Sequence, residues 1–123
     1  MIDALSNFLT SQGYTDIYID NLPDEATAPE AIGIFCWDNT VAEINDGSGT
    51  FYVQLQVRRK TAADAHKVCW DLFKLLDSGL DEQPLQLNDD HWCIARSRRG
   101  PLILDRTPTT TTYYCEIALW GEV

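Results

Sequence analysis

The segment that decides the fold runs from Thr50 to Ser78 and reads TFYVQLQVRRKTAADAHKVCWDLFKLLDS. Its first part, Thr50–Arg59, alternates apolar and polar side chains, which predicts a β-strand with one buried face. Its second part begins at Thr61, a good helix N-cap, and repeats apolar residues at helical spacing to about Ser78. Gly79 then provides a stop signal. The pattern predicts a strand that leads directly into a long central helix lying on a sheet.

The sequence before this segment predicts a helix, two strands and a loop. Apolar residues recur at helical spacing over 2–12, and Ile17–Ile19 has the composition of a short strand. A connection rich in proline and acidic residues then leads to a second apolar strand, Ala31–Trp37. Residues 39–49 are polar and acidic and contain an Asp-Gly-Ser-Gly turn signal. We therefore expect a protruding loop, or a small hairpin, from Asn39 to Gly49.

The sequence after the central helix predicts three or four strands, with a break at Arg99-Gly100-Pro101. The candidate strands are Leu85–Leu87, Trp92–Arg98, Leu102–Leu104 and Tyr113–Trp120. The whole chain, residues 1–123, is then a single α+β domain of order α-β-β-β-α-β-β-β. Its mainly antiparallel sheet is packed by the central helix and the N-terminal helix.

Charge is unevenly distributed along the 123 residues, whose formal net charge is -10. Residues 1–57 hold nine acidic side chains and no Lys or Arg, whereas residues 58–123 hold ten acidic and all nine basic ones. The net charge excludes a general affinity for polyanions, as in a basic DNA-binding protein. The asymmetry fits either a solvated acidic face or one half of an electrostatically matched interface.

The four cysteines show neither a metal-binding nor a disulfide pattern. Cys36, Cys69, Cys93 and Cys115 form no CxxC pair, and no His stands near them at metal-ligand spacing. We expect free thiols in the core of a protein made in a reducing cytoplasm. The N-terminus carries no signal sequence, and no apolar run approaches the length of a membrane span, so neither secretion nor membrane insertion is expected.

Two histidines are the candidates for chemistry. His66 stands one helical turn before Cys69, but the predicted helix turns Cys69 towards the core, where burial makes a thiol unreactive. His91 follows Asp89 and Asp90, which are typical of a solvated turn before a strand. The sequence therefore predicts no enzyme, no metal site and no cofactor.

Four local motifs and their order point to a family. They are the Asn21–Asp24 turn, the Tyr52–Arg58 strand feeding into the helix, Gly100–Arg106, and the aromatic closing strand Tyr113–Trp120. In this order and spacing they resemble the minor capsid, or tail-completion, proteins of long-tailed bacteriophages, which belong with the tail terminators. The resemblance spans most of the chain. It departs at Thr107-Pro108 and the threonines that follow, where related chains tend to have a glycine-containing turn.

The resemblance implies a structural protein that assembles as a six-fold ring on the end of the tail tube and stops tube polymerisation. Its implied partners are further copies of itself, the tail tube protein and a head-completion protein, while DNA passes through without specific binding. It implies no catalysis. The protein would be made in the host cytoplasm and reside at the head-proximal end of the virion tail, and the oligomeric state of the isolated chain stays open.

Within this picture, five residues are candidate site residues. Glu43 and Asp46, in the acidic loop, are expected to face the lumen of the ring or the tube. Arg58, Arg59 and Trp70 are expected near the neighbouring subunit, although Trp70, on the flank of the central helix, could also pack under a loop of its own chain. Two alternatives remain: a head-completion or stopper protein, and an acidic inhibitor that mimics DNA.

Overall fold

The computed structural model describes residues 2–41 and 48–122 and forms a single small α+β domain. Two helices and a six-stranded mixed sheet make up the domain. The elements in chain order are α1 (Ile2–Ser11), β1 (Ile17–Ile19), β2 (Ala31–Val41), β3 (Ser48–Arg59), α2 (Ala62–Leu75), β4 (Leu85–Gln86), β5 (Trp92–Arg106) and β6 (Thr111–Glu122).

The strands lie side by side in the order β1-β2-β3-β6-β5-β4. β1 pairs with β2 in parallel, and every other neighbouring pair is antiparallel. The four long strands therefore occupy the middle of the sheet. The short strands β1 and β4 lie at its two sides, so the sheet is mixed rather than purely antiparallel.

Both helices cover the same face of the sheet. α1 packs against β1 and β2, and α2 packs against β3, β5 and β6. α2 buries its apolar stripe against alternate residues of β3, from Phe51 to Val57, as the alternation in the sequence predicted, and α1 adds its stripe to the same core. Neither helix is long and apolar enough to cross a membrane. We call the other side of the sheet, on which no described helix lies, the open face.

α2 begins where the sequence predicted and ends earlier. The Thr61 hydroxyl accepts a hydrogen bond from the Asp64 backbone N–H at 3.2 Å, which confirms the N-cap. The helix ends at Leu75, so the prediction of a helix to about Ser78 was wrong at this end. Ser78 leaves the helix because it bonds to β5: its N–H donates to the Ala95 carbonyl, and its hydroxyl accepts from the Ala95 N–H, both at 2.8 Å.

β5 runs unbroken through the segment predicted to interrupt it. The sequence predicted up to four strands after α2, and the structure has three, because Trp92–Arg106 is one strand. Its pairing with β6 shifts between Arg99 and Leu102, and this irregularity accommodates Gly100 and Pro101. A proline is tolerated there because β5 lies near the side of the sheet, where its missing N–H removes no hydrogen bond to a further strand.

Strand pairing extends into the segment predicted to form a protruding loop or a small hairpin. β2 extends to Val41 and β3 begins at Ser48, with Val41 opposite Gly49 in the ladder. The prediction of a loop was therefore wrong at residues 39–41 and 48–49, where the antiparallel pairing is that of a hairpin. The two acidic candidates within it, Glu43 and Asp46, lie outside the described residues.

Three of the four cysteines are free thiols in the core, as the sequence predicted. Cys69, Cys93 and Cys115 are buried, and Cys36 is half-buried. Burial raises the pKa of the Cys93 thiol to about 11. A hydrogen bond with Cys69, together with burial, raises the pKa of Cys115. The thiols of Cys93 and Cys115 therefore stay protonated and act as small core groups.

Candidate assembly surfaces

A β-bulge near the middle of β5 places two successive arginines on the open face. The Ser97 hydroxyl donates to the Phe73 carbonyl of α2 at 2.8 Å, so Ser97 faces the helices. The Arg98 guanidinium lies 4.7 Å from the ring centre of Tyr52, whose side chain lies on the open face. The ladder then shifts, and Arg99 stands opposite Glu116, also on the open face. A bulge re-aims side chains in this way.

The arginines on this strand keep access to solvent. Arg99 Nε lies 3.9 Å from a Glu116 carboxylate oxygen, and Arg96 forms an ion pair with Glu82. A hydrogen bond with Tyr114 and the charge of Glu116 raise the pKa of Arg99 above its ordinary value. Exposed ion pairs of this kind contribute little to stability. Both guanidinium groups are therefore available to an external partner at little cost to the fold.

The end of β5 carries three consecutive exposed apolar side chains. Leu102, Ile103 and Leu104 are 45%, 49% and 47% exposed. Successive side chains of a strand point to opposite faces, so here both faces of the sheet are bare. β4 covers the outer side of β5 only at Trp92 and Cys93, and no other strand of the described chain pairs with that side. We call residues 96–106, with four arginines and one aspartate, the basic arm.

Trp70 lies beside the basic arm. It is 42% exposed, stacks on Phe73 with ring centres 5.5 Å apart, and has the Lys74 ammonium 5.7 Å from its ring centre. A groove of about 400 Å³ separates it from β5, lined by His66, Trp70 and residues 99–102. The indole is thus a large, partly bare apolar surface next to the exposed triplet.

The edge of the sheet formed by β1, across the strand order from the basic arm, is acidic. Residues 2–30, which comprise α1, β1 and the connection to β2, contain six carboxylates and no Lys or Arg, and we call them the acidic edge. Asp16 and Asp20 stand immediately before and after β1 and are exposed. Both adopt positive φ angles, 57° and 55°, which limits the strand to three residues. Ile19, between them, is 39% exposed.

Arg58 and Arg59 serve their own chain. Arg58 is only 8% exposed, and its Nη2 donates to the Pro23 carbonyl and, at 2.5 Å, to the Ala28 carbonyl. Arg59 donates to the Arg58 carbonyl at 2.9 Å and lies 3.9 Å from Asp64. The structure does not bring Arg58 and Trp70 together, because they lie on opposite faces of the sheet. Among the predicted interface residues, Trp70 alone is largely exposed.

The β5–β6 turn is tied to the acidic edge by one carboxylate. Glu25 accepts hydrogen bonds from the hydroxyls of Thr107 at 2.8 Å, Thr109 at 3.1 Å and Thr110. The bonds from Thr110 and Thr107 are the main cause that lowers the pKa of Glu25. The threonines of this turn therefore anchor the β5–β6 hairpin to residues 20–30.

The histidines are engaged in local contacts. His66 meets the Tyr113 ring edge-on at 5.2 Å between centroids, and Cys69 on the same helix is buried. His91 Nδ1 lies 3.0 Å from the Asn88 side-chain oxygen. Within residues 2–41 and 48–122, no three His, Cys, Asp or Glu side chains cluster as a metal site would require.

β1, with Asp16 and Asp20 at its ends, and the basic arm thus lie on opposite sides of one sheet, while Glu25 of the acidic edge reaches the β5–β6 turn. β2, β3 and β6 stand between β1 and β5, a separation of about 19 Å at ordinary strand spacing. The sequence showed the charge asymmetry and the Gly100–Arg106 motif, but the exposure of the basic arm was not predicted. The pattern that could have indicated it is the run of three apolar residues followed by Asp105-Arg106. No family model matches the chain, and no curated protein is similar to it in sequence.

Proposed function

We propose that this chain is a phage tail terminator, a structural protein that assembles as a ring on the end of the tail tube and stops tube growth. The observation that carries the proposal is the charge polarity of the sheet: residues 2–30 hold six carboxylates, and residues 96–106 hold four arginines and one aspartate. A subunit with unlike surfaces on opposite sides is suited to binding copies of itself head to tail.

Head-to-tail contacts make a closed ring when the rotation between neighbours divides a full turn. In such a ring the charges would set orientation and speed encounter, as complementary potentials do at protein interfaces. The affinity would come mainly from apolar side chains that are bare in the single chain, Trp70 and Leu102–Leu104 among them. The ring's two flat surfaces would remain free for the tube protein on one side and a head-completion protein on the other.

The net charge of -10 supports passage of DNA through such a ring. A lumen with a negative potential repels phosphates, so DNA would move through it without being held. The arginines of the basic arm would be neutralised by the neighbouring acidic edge. This is the opposite of the design of a DNA-binding protein, in which basic side chains face the phosphates.

The test is to remove the chain from a phage that encodes it and to measure tail length by electron microscopy. We expect abnormally long tails of variable length, restored to normal by supplying the protein from a plasmid. Tails of normal length that fail to join filled heads would instead assign the chain to head completion. Normal tails on infectious particles would refute both roles.

A further inference from the structure

We infer that the bare outer edge of β5 at Leu102–Arg106 accepts the β1 edge of a second copy, so that neighbouring sheets join edge to edge. The inference rests on the proposed function and names the two surfaces that meet. It assigns the contact to main-chain pairing supported by opposite charges. Adding a strand to an exposed sheet edge is a general mode of protein recognition.

The outer edge of the basic arm is unpaired within the described chain. All five residues from Leu102 to Arg106 are exposed, and their inner side pairs with β6 from Thr111 to Tyr114. Among the described elements, none donates or accepts a backbone hydrogen bond on their outer side. An exposed apolar edge of this kind is a template for another strand and is normally blunted in a monomeric protein. Here the edge carries three consecutive apolar residues, Leu102–Leu104, and no other part of the described chain covers it.

The outer edge of β1 is the second surface of the proposed joint. β1 lies at the other end of the strand order and pairs with β2 on one side only. Asp20 N–H donates to the Ile34 carbonyl at 2.8 Å and Ile32 N–H to the Asp16 carbonyl at 2.9 Å, so residues 16 and 20 direct these backbone groups at β2. In a strand the intervening residues direct theirs outward, which leaves Ile17 and Ile19 to pair with a new neighbour.

The charges around the two edges indicate which partner binds the basic arm. Asp16 and Asp20 bracket the apolar β1 edge, and Arg99 and Arg106 bracket the apolar triplet of the arm. Carboxylates would therefore meet guanidinium groups on both sides of an apolar strip. Two basic arms meeting each other would oppose four arginines to four, and like charges across a strand pair are destabilising. The charges select a second copy in head-to-tail orientation.

The test uses two charge-reversed proteins of the full chain. One carries Asp16→Arg with Asp20→Arg, and the other carries Arg99→Glu with Arg106→Glu. Each alone places like charges at every joint, and we expect self-association at least about tenfold weaker than that of the wild type. Mixed in equal amounts, they restore attraction at every joint, and because six is even an alternating ring closes. Sedimentation velocity of each protein and of the mixture measures this.

A matched control is Asp89→Arg with Asp90→Arg, which changes net charge as the first variant does. Both aspartates are exposed and lie in the β4–β5 turn, at the other end of β5 from the triplet. We expect this control to associate like the wild type. If it weakens association as much as the edge variants do, or if the mixture fails to recover, the joint is not between these two edges.

A second measurement covers the case in which a reversed variant does not fold. Ile19→Cys and Ile103→Cys in one chain should cross-link on oxidation into a ladder of up to six subunits, whereas either change alone should give no ladder. Dimers from Ile103→Cys alone would show a basic-arm pair and overturn the inference. Wild-type rings that form while the double-cysteine protein stays uncrosslinked would also overturn it, but would leave the proposed function standing.

Discussion

The acidic edge and the basic arm are built from the same sheet but differ in how the chain secures them. The acidic edge is held from within: Arg58 lies buried beneath residues 23–28, and Glu25 ties them to the β5–β6 turn. The apolar triplet of the arm, Leu102–Leu104, is exposed on both faces of the sheet and pairs with no described strand on its outer side. The comparison shows that a run of consecutive exposed apolar residues occurs on one partner of the proposed joint only, whereas β1 exposes Ile19 beside Asp20. In the proposed joint, the short edge strand β1 would cover the exposed apolar part of β5.

The largest effect is expected from Arg58→Met, which should break the acidic edge. The change keeps the apolar stem but removes the donors to the Pro23 and Ala28 carbonyls. We expect the free energy of unfolding to fall by about 2–3 kcal/mol, as measured by urea denaturation. Arg59→Met is the matched control, because Arg59 makes one hydrogen bond, to the Arg58 carbonyl, and a 3.9 Å contact with the exposed Asp64. It should lower the free energy of unfolding by only about 1 kcal/mol. Equal losses of stability in the two variants would contradict a stabilising role for the buried Arg58 hydrogen bonds.

The next effect concerns the apolar part of the arm. Leu102→Ser with Leu104→Ser removes two exposed apolar side chains, so the free energy of unfolding should stay within about 0.5 kcal/mol of the wild type. Self-association should weaken at least about tenfold, because these side chains would no longer be buried at the joint. Leu80→Ser is the control: Leu80 is 96% exposed and lies between α2 and β4. Unchanged association of the double variant would exclude the triplet from the interface.

Salt should separate the two contributions to the joint. Raising the ionic strength from about 0.1 M to about 1 M shortens the Debye length from about 10 Å to about 3 Å. We expect wild-type self-association to weaken several-fold in light scattering, and the charge-reversed variants to lose part of their defect. Association that strengthens steadily with sodium chloride would show that apolar contacts alone join the subunits.

The smallest effect is expected from Glu25→Gln. The threonine hydroxyls hold the pKa of Glu25 below its ordinary value in the folded chain. The ionised carboxylate therefore contributes stability above the unfolded pKa, about 4.3, and this contribution is lost as the pH falls through the folded pKa. The wild-type melting temperature should fall more steeply than that of the variant on acidification. Glu30→Gln, in the same connection, should follow the wild type; parallel profiles for all three would remove Glu25 from this role.

The sequence was sufficient for those parts of the fold that depend on local patterns. The alternation in residues 50–59 identified β3, and the Thr61 cap identified the start of α2, because capping and periodicity are properties of neighbouring residues. The free, buried state of Cys69, Cys93 and Cys115 followed from their spacing. The α+β class followed from the order of such elements.

Features that depend on distant parts of the chain could not be predicted. Arg58 is buried next to Val57 because a segment some thirty residues earlier covers it, which no local pattern records. The bulge that turns Arg98 and Arg99 to one face depends on the register with β6. The end of α2 depends on hydrogen bonds from Ser78 to β5. Arg58 is thus buried within its own chain and Trp70 is exposed beside the arm, and the place of either at a subunit interface stays a prediction.

Native mass spectrometry of the purified wild-type chain, over concentrations up to the millimolar range, tests the central claim most directly. A head-to-tail joint between opposite sides of one sheet predicts a closed species with no accumulation of a two-fold dimer. The proposed tail-terminator ring predicts that this species holds six 13.9 kDa subunits. A chain that stays monomeric throughout, or that stops at a dimer, would contradict the account.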